Sequence, residues 1–92
     1  MKQINWNADK NQSLMNERGI SFEDIVFSMQ QGDLLDDLCH PNKDKYPNQR
    51  VLVVNVDNYI HLVPYVENKV EIFLKTIIPS RKATKKYLRG DV

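Results

Sequence analysis

One cysteine, Cys39, stands in a chain of 92 residues. An intrachain disulfide and any multi-cysteine zinc site are thereby excluded, and a lone thiol is expected to pack as a small hydrophobe. Glycine is also scarce, with three residues in all. They are too scattered to form the glycine-rich loop that cradles a nucleotide phosphate. No apolar stretch approaches the roughly 20 residues of a membrane-spanning helix. The opening MKQINWNADK contains no apolar signal region, from which a cytoplasmic location is expected. There is no serine–histidine–aspartate arrangement, no internal repeat and no low-complexity segment.

What remains is ordinary for one globular domain, 41% hydrophobic and 27% charged. The net charge of +1 conceals an asymmetry. Residues 1–74 hold seven Lys/Arg against eleven Asp/Glu, a balance of −4, and residues 75–92 hold six against one, a balance of +5. Segregation of this kind points to an anionic partner, or an acidic protein, at the C-terminal end.

The pattern predicts a β-α-α-β-meander-α order. QINW (3–6) is a short strand, and Asn7 caps a helix that runs to Arg18 and ends at Gly19. Its apolar face, Leu14 and Met15, is thin, which suits a surface helix leaning on Trp6. In GISFEDIVFSMQQG (19–32), Ser21 is the N-cap and Asp24 its capping-box partner, with Ile20 and Ile25 at the staple positions. Phe22, Ile25, Val26 and Met29 recur at helical spacing before Gly32, so this is a packing helix. LLDDL (34–38) reads as a short strand and CHPNKDKYPN (39–48) as a loop. QRVLVVNV (49–56) and YIHLVPYV (59–66) form a hairpin across Asp57-Asn58, and a turn at residues 67–69 leads into VEIFLKTII (70–78). Pro64 cannot donate to a ladder and marks an edge, a bulge or a strand end. Ser80 then caps a helix, RKATKKYLR (81–89). The expected fold is α+β: a three- or four-stranded antiparallel sheet with two N-terminal helices and a C-terminal helix.

Alternation along these strands assigns faces. A two-residue loop at Asp57-Asn58 puts Arg50 opposite Tyr65 and Val54 opposite His61. A three-residue second loop would put His61 opposite Lys75 and Tyr65 opposite Glu71. Arg50, His61, Tyr65 and Lys75 would then share one face; a slip of one residue dissolves the set. In SRKATKK (80–86), Arg81 and Lys82 fall in the first turn of a helix, where cations oppose the macrodipole at about 0.3–1 kcal/mol each. A bound phosphate would turn that cost into a site. Lys82, Lys85, Lys86 and Arg89 also lie at i, i+3, i+4 and i+7, a stripe able to follow a nucleic-acid backbone. A plain solvated helix accounts for Lys85, Lys86 and Arg89, but poorly for Arg81 and Lys82. Asp36, Asp37 and His40 are possible metal ligands, although a short strand and loop need not bring them together.

Together, NWNADKNQ (5–12), ERGISFEDIVFS (17–28), Arg50 and above all IPSRKATKKY (78–87) resemble the BrnT-like toxins of type II toxin–antitoxin systems. The tail is similar to that family's strand–SARKA–helix ending. Lys75 stands where many members carry arginine, and Pro79 where a small residue is usual. The resemblance implies a RelE-like fold, a compact sheet with helices on one side, and a small ribonuclease that stops translation. It implies a cognate antitoxin, typically of the ribbon-helix-helix type, that neutralises the toxin and carries operator DNA binding. RNA, free or on the ribosome, would be the substrate; no cofactor or membrane is involved.

Metal-free RNA cleavage needs a 2′-hydroxyl oriented for attack, extra negative charge stabilised, and the leaving oxygen protonated. On this reading Arg50, Lys75 and Arg81 supply the electrostatics, and Lys10, Lys82, Lys85 and Lys86 hold RNA. His61 is the first candidate for acid/base work, with His40, Tyr65 and Tyr87 as alternatives. Two other functions use the same residues: a non-catalytic nucleic-acid-binding or regulatory module, and a protein-binding module whose basic tail meets an acidic partner.

Overall fold

The computed structural model describes residues 2–89. Its elements, in chain order, are β1 (Gln3–Trp6), α1 (Ala8–Arg18), α2 (Phe22–Gln30), β2 (Leu34–Cys39), β3 (Gln49–Val56), β4 (Tyr59–Glu67), β5 (Glu71–Leu74), β6 (Ile78–Pro79) and α3 (Arg81–Leu88). The α+β class and the element order agree with the sequence reading. The sheet does not. It is six-stranded and mixed, ordered β1-β5-β4-β3-β2, with β6 also on β4 and with β1 parallel to β5. The N-terminal strand adds to the far side of the meander, and nothing in its four residues could announce that partner.

Local signals explain the helices. Asn7 accepts from Lys10 N at 2.9 Å, and Gly19 closes α1 at φ 67°, the left-handed value suited to glycine. Ser21 and Asp24 form a complete capping box on α2. The staple pair Ile20 and Ile25 is buried. Leu14 joins the core while Met15 stays exposed. Phe22, fully buried, stacks on Trp6 with ring centroids 5.6 Å apart. Asn11 links the two helices: its Oδ1 accepts from Phe22 N at 2.7 Å and its Nδ2 donates to Glu23 Oε1 at 2.7 Å. That bond lowers the Glu23 carboxyl below its ordinary value.

The first hairpin follows the expected register, with Arg50 opposite Tyr65 and Val54 opposite His61. Asp57 (φ 52°) and Asn58 (φ 65°) make the tight turn that such residues tolerate. The second hairpin departs. Asn68 Oδ1 accepts from both Val70 N and Glu71 N, which lengthens the turn, and Tyr65 now faces Leu74. Lys75 N donates to Pro64 O at 2.8 Å, so Lys75 does not face His61; Pro79 does. Pro64 sits in the central strand, between the residues paired with β5 and those paired with β6. Its missing N–H falls where β4 changes partner, so no ladder bond is lost.

Alternation separates two buried faces. Leu52, Val54, Val63 and Leu74 pack with Leu14, Phe22 and Ile25 of α1 and α2. Val53 and Ile60 point the other way, are fully buried, and lie outside that cluster. They share their face with Asp36, to which the Tyr87 hydroxyl of α3 donates at 3.1 Å. The sheet is therefore covered on both faces, not on one as the family resemblance implied. Each fully buried aliphatic side chain contributes about 1.5–3 kcal/mol, so two thin cores stabilise a chain of this length.

Candidate nucleic-acid interface

α3 is an amphipathic helix fastened to the sheet by two residues. Ser80 Oγ accepts from Ala83 N at 3.1 Å. Thr84 Oγ1 donates to Ser80 O at 2.7 Å and accepts from Ile60 N at 2.8 Å, closing a donor that β6 leaves unpaired. Thr84, Ala83 and Tyr87 face inward, while Arg81, Lys82, Lys85, Lys86 and Arg89 are exposed. None of these five cations makes an ion pair among the described residues, where the two ion pairs are Lys2–Glu67 and Arg50–Asp37. The first turn of α3 contains no acidic residue. Its free N–H groups and the cations Arg81 and Lys82 leave that end of the helix electropositive.

Arg81, Lys85 and Arg89 line a small cleft of about 170 Å³ with Thr84 and Tyr59. Tyr59 is the hinge of the region. It also lines a larger concavity of about 710 Å³, to which His61, Arg18, Phe27 and Asp57 contribute. The Tyr59 and His61 rings meet edge to face, with centroids 5.7 Å apart. His61 Nδ1 lies 3.1 Å from the Tyr59 carbonyl oxygen. A carbonyl only accepts, so Nδ1 carries the proton and neutral His61 keeps its lone pair on Nε2. Burial lowers the His61 pKa below 6.5, against smaller upward pulls from the Tyr59 carbonyl and Asp57. The imidazole is therefore largely neutral near pH 7, the form a general base requires.

His61 and Arg81 line two separate concavities that have Tyr59 in common, His61 on the α1/α2 face of the sheet and Arg81 on the helix that covers the other face. Arg50 is not with them. It lies four residues along the strand from the row of His61, about 13 Å away. There its Nε donates to Asp37 Oδ1 at 3.0 Å and its Nη2 to Asp37 O at 3.1 Å. Asp37 holds the guanidinium pKa above its ordinary value. Lys75 points away as well, its ammonium 5.8 Å from the centroid of the Phe73 ring on the opposite face from His61. Lys10 is exposed on the first turn of α1 and lines neither concavity. Lys82 and Lys86 are exposed on α3, outside the cleft walls, with Lys86 Nζ 5.6 Å from the Tyr87 ring centroid. The face shared by Arg50, His61, Tyr65 and Lys75 is accordingly lost at Lys75.

The remaining acid/base candidates are engaged elsewhere. The Tyr65 hydroxyl donates to Asp37, and its pKa is pushed up to about 12, mainly by burial. Burial and Asp36 raise the Tyr87 pKa. His40 Nδ1 accepts from Asn42 N at 3.0 Å within the loop after β2. Asp36 and Asp37, the supposed metal ligands, point to opposite faces of β2 and are held by Tyr87 and by Arg50 with Tyr65. Among the described residues no group of three ligating side chains converges. Cys39 is exposed rather than packed, its Sγ 3.8 Å from Arg50 Nη1. Sequence reasoning missed Tyr59 and Thr84; only the pairing of β4 with the α3 segment gives either a role.

No protein-family model, no curated protein and no solved structure matches the chain. Among the described residues, no helix is long and apolar enough to cross a membrane.

Proposed function

We propose that this protein is a metal-free endoribonuclease, the toxin of a type II toxin–antitoxin pair. One observation carries the reading. A neutral histidine whose Nε2 has no hydrogen-bond partner among the described residues shares Tyr59 with a cleft lined by three cations. In that arrangement Arg81, Lys85 and Arg89 hold the RNA backbone beside the reacting nucleotide and add positive potential where negative charge builds, usually the greatest single contribution to such catalysis. His61 Nε2 takes the proton of the 2′-hydroxyl as it attacks phosphorus. The 5′-oxygen leaves with a proton from solvent, and a 2′,3′-cyclic phosphate remains. Lys82 and Lys86 extend the backbone track along α3.

The β3-β4-β5 meander with two N-terminal helices and a basic C-terminal helix supports a RelE-like assignment. A chain with such an activity needs a neutralising partner, and a ribbon-helix-helix antitoxin that also carries operator binding fits the charge of α3. The test is tightly controlled expression of this chain alone beside Arg81→Ala, with growth followed and total RNA inspected for cleavage. Arrest with RNA loss, relieved by the substitution, is the expected result. Healthy growth with intact RNA and salt-dependent RNA binding would instead leave α3 as the surface of a non-catalytic binding module.

A further inference from the structure

The larger concavity differs in chemistry from the cation cleft beside it. Two aromatic rings border it: Phe27 on α2, 62% exposed, and Tyr59, 37% exposed. The other apolar side chains of α2 are buried or half-buried, so Phe27 alone faces solvent without a packing role. Carboxylates of Asp24, Asp33 and Asp57 line the same walls. The cation there, Arg18, already donates Nη1 to Ile77 O at 2.7 Å. Such a groove repels phosphate. It suits a neutral planar ring that stacks on aromatic faces and offers N–H donors to a carboxylate.

We infer that the groove between Phe27 and Tyr59 binds the base on the 5′ side of the scissile phosphate and selects guanine through Asp57. This rests on the ribonuclease reading. His61 lines the groove, so the nucleotide seated there presents its 2′-hydroxyl to Nε2, and Tyr59, which borders both the groove and the α3 cleft, leads the RNA backbone from one to the other. Guanine carries two adjacent donors, N1–H and N2–H, on one edge, which match the two oxygens of a single carboxylate. Of the three carboxylates, Asp24 already accepts in the α2 capping box. The side chains of Asp33 and Asp57 accept no hydrogen bond among the described residues, and of these two Asp57 is the more exposed and the one whose charge acts on His61. The positive φ of Asp57 is one that asparagine adopts readily, so Asp57→Asn removes one acceptor and keeps the turn.

The experiment is an amide NMR titration of the full chain with each of the four nucleoside 3′-monophosphates. Guanosine 3′-monophosphate is expected to shift residues 27 and 56–59 and to bind about tenfold tighter than the others, the selectivity of one good bidentate pair. Asp57→Asn should bring it level with the others, and Phe27→Ala should weaken all four. Equal affinities with shifts confined to α3, or a guanine preference unchanged in Asp57→Asn, would overturn the inference. The readout needs no cleavage. Guanine-selective binding by a chain that leaves RNA intact would sink the ribonuclease reading alone, and cleavage without base preference would sink this one alone.

Discussion

The Tyr65 hydroxyl reaches both oxygens of Asp37, at 2.9 and 2.8 Å, on the same carboxylate that accepts from Arg50 Nε at 3.0 Å. Asp37, Arg50 and Tyr65 come from β2, β3 and β4, so one carboxylate ties three adjacent strands at the end away from His61. Tyr65 is buried and Arg50 is a half-buried cation already paired with Asp37. The cluster has the character of a strand clamp rather than a reaction centre.

Tyr65→Phe removes the clamp's buried donor and should cost about 1 kcal/mol. That corresponds to a fall of about 4–8 °C in Tm for a domain of this size. The pH dependence has a definite sign. The folded-state pKa of about 12 lies above the free value of 10.0, so the fold favours the protonated phenol. Its contribution is complete below pH 10 and fades as pH rises towards 12. Melting curves of wild type and Tyr65→Phe should therefore converge across that window.

Arg50→Ala and Arg81→Ala separate the clamp from the cleft. Arg81→Ala should relieve growth arrest and lower the slope of log affinity against log salt by about 1, the loss of one phosphate contact. Arg50→Ala should leave arrest in place while lowering Tm. If Arg50→Ala alone abolished arrest, the catalytic centre would lie at the Asp37 end of the sheet.

His61→Ala should reduce cleavage about 10²–10⁴-fold, the usual worth of a positioned base. In the wild type the rate should climb with pH and level off, with a midpoint below 6.5, because burial favours the neutral ring. A pH–rate profile of purified protein on a short RNA checks this. A residual activity in His61→Ala with the same acid limb would assign the base elsewhere.

Asn11→Ala tests the joint between α1 and α2. Asn11 is 9% exposed and satisfies Phe22 N while donating to Glu23. Its loss leaves the first amide of α2 without its partner, at about 1–3 kcal/mol. Denaturant titration should show a lower midpoint with an unchanged slope, since no additional surface is exposed on unfolding.

Much of this protein is decided within short stretches of chain. The caps at Asn7, Ser21 and Ser80, the staple, the Asp57-Asn58 turn and the outward stripe of α3 depend on neighbours a few residues apart, so they are legible in the linear chain. The hairpin register from Arg50 to His61 followed from that turn alone. Other features depend on partners far along the chain and take shape only when it folds. β1 reaches β5 across 66 residues or more, Asp37 claims Arg50, and the unpaired amide of Ile60 draws in Thr84. Asn68 lengthened one turn and thereby removed Lys75 from the row of His61. Tyr59 borders two concavities because folding brought residues of α2 to one and residues of α3 to the other. Local energetics select turns and caps, but which side chains share a cleft is decided by pairings between strands far apart in sequence.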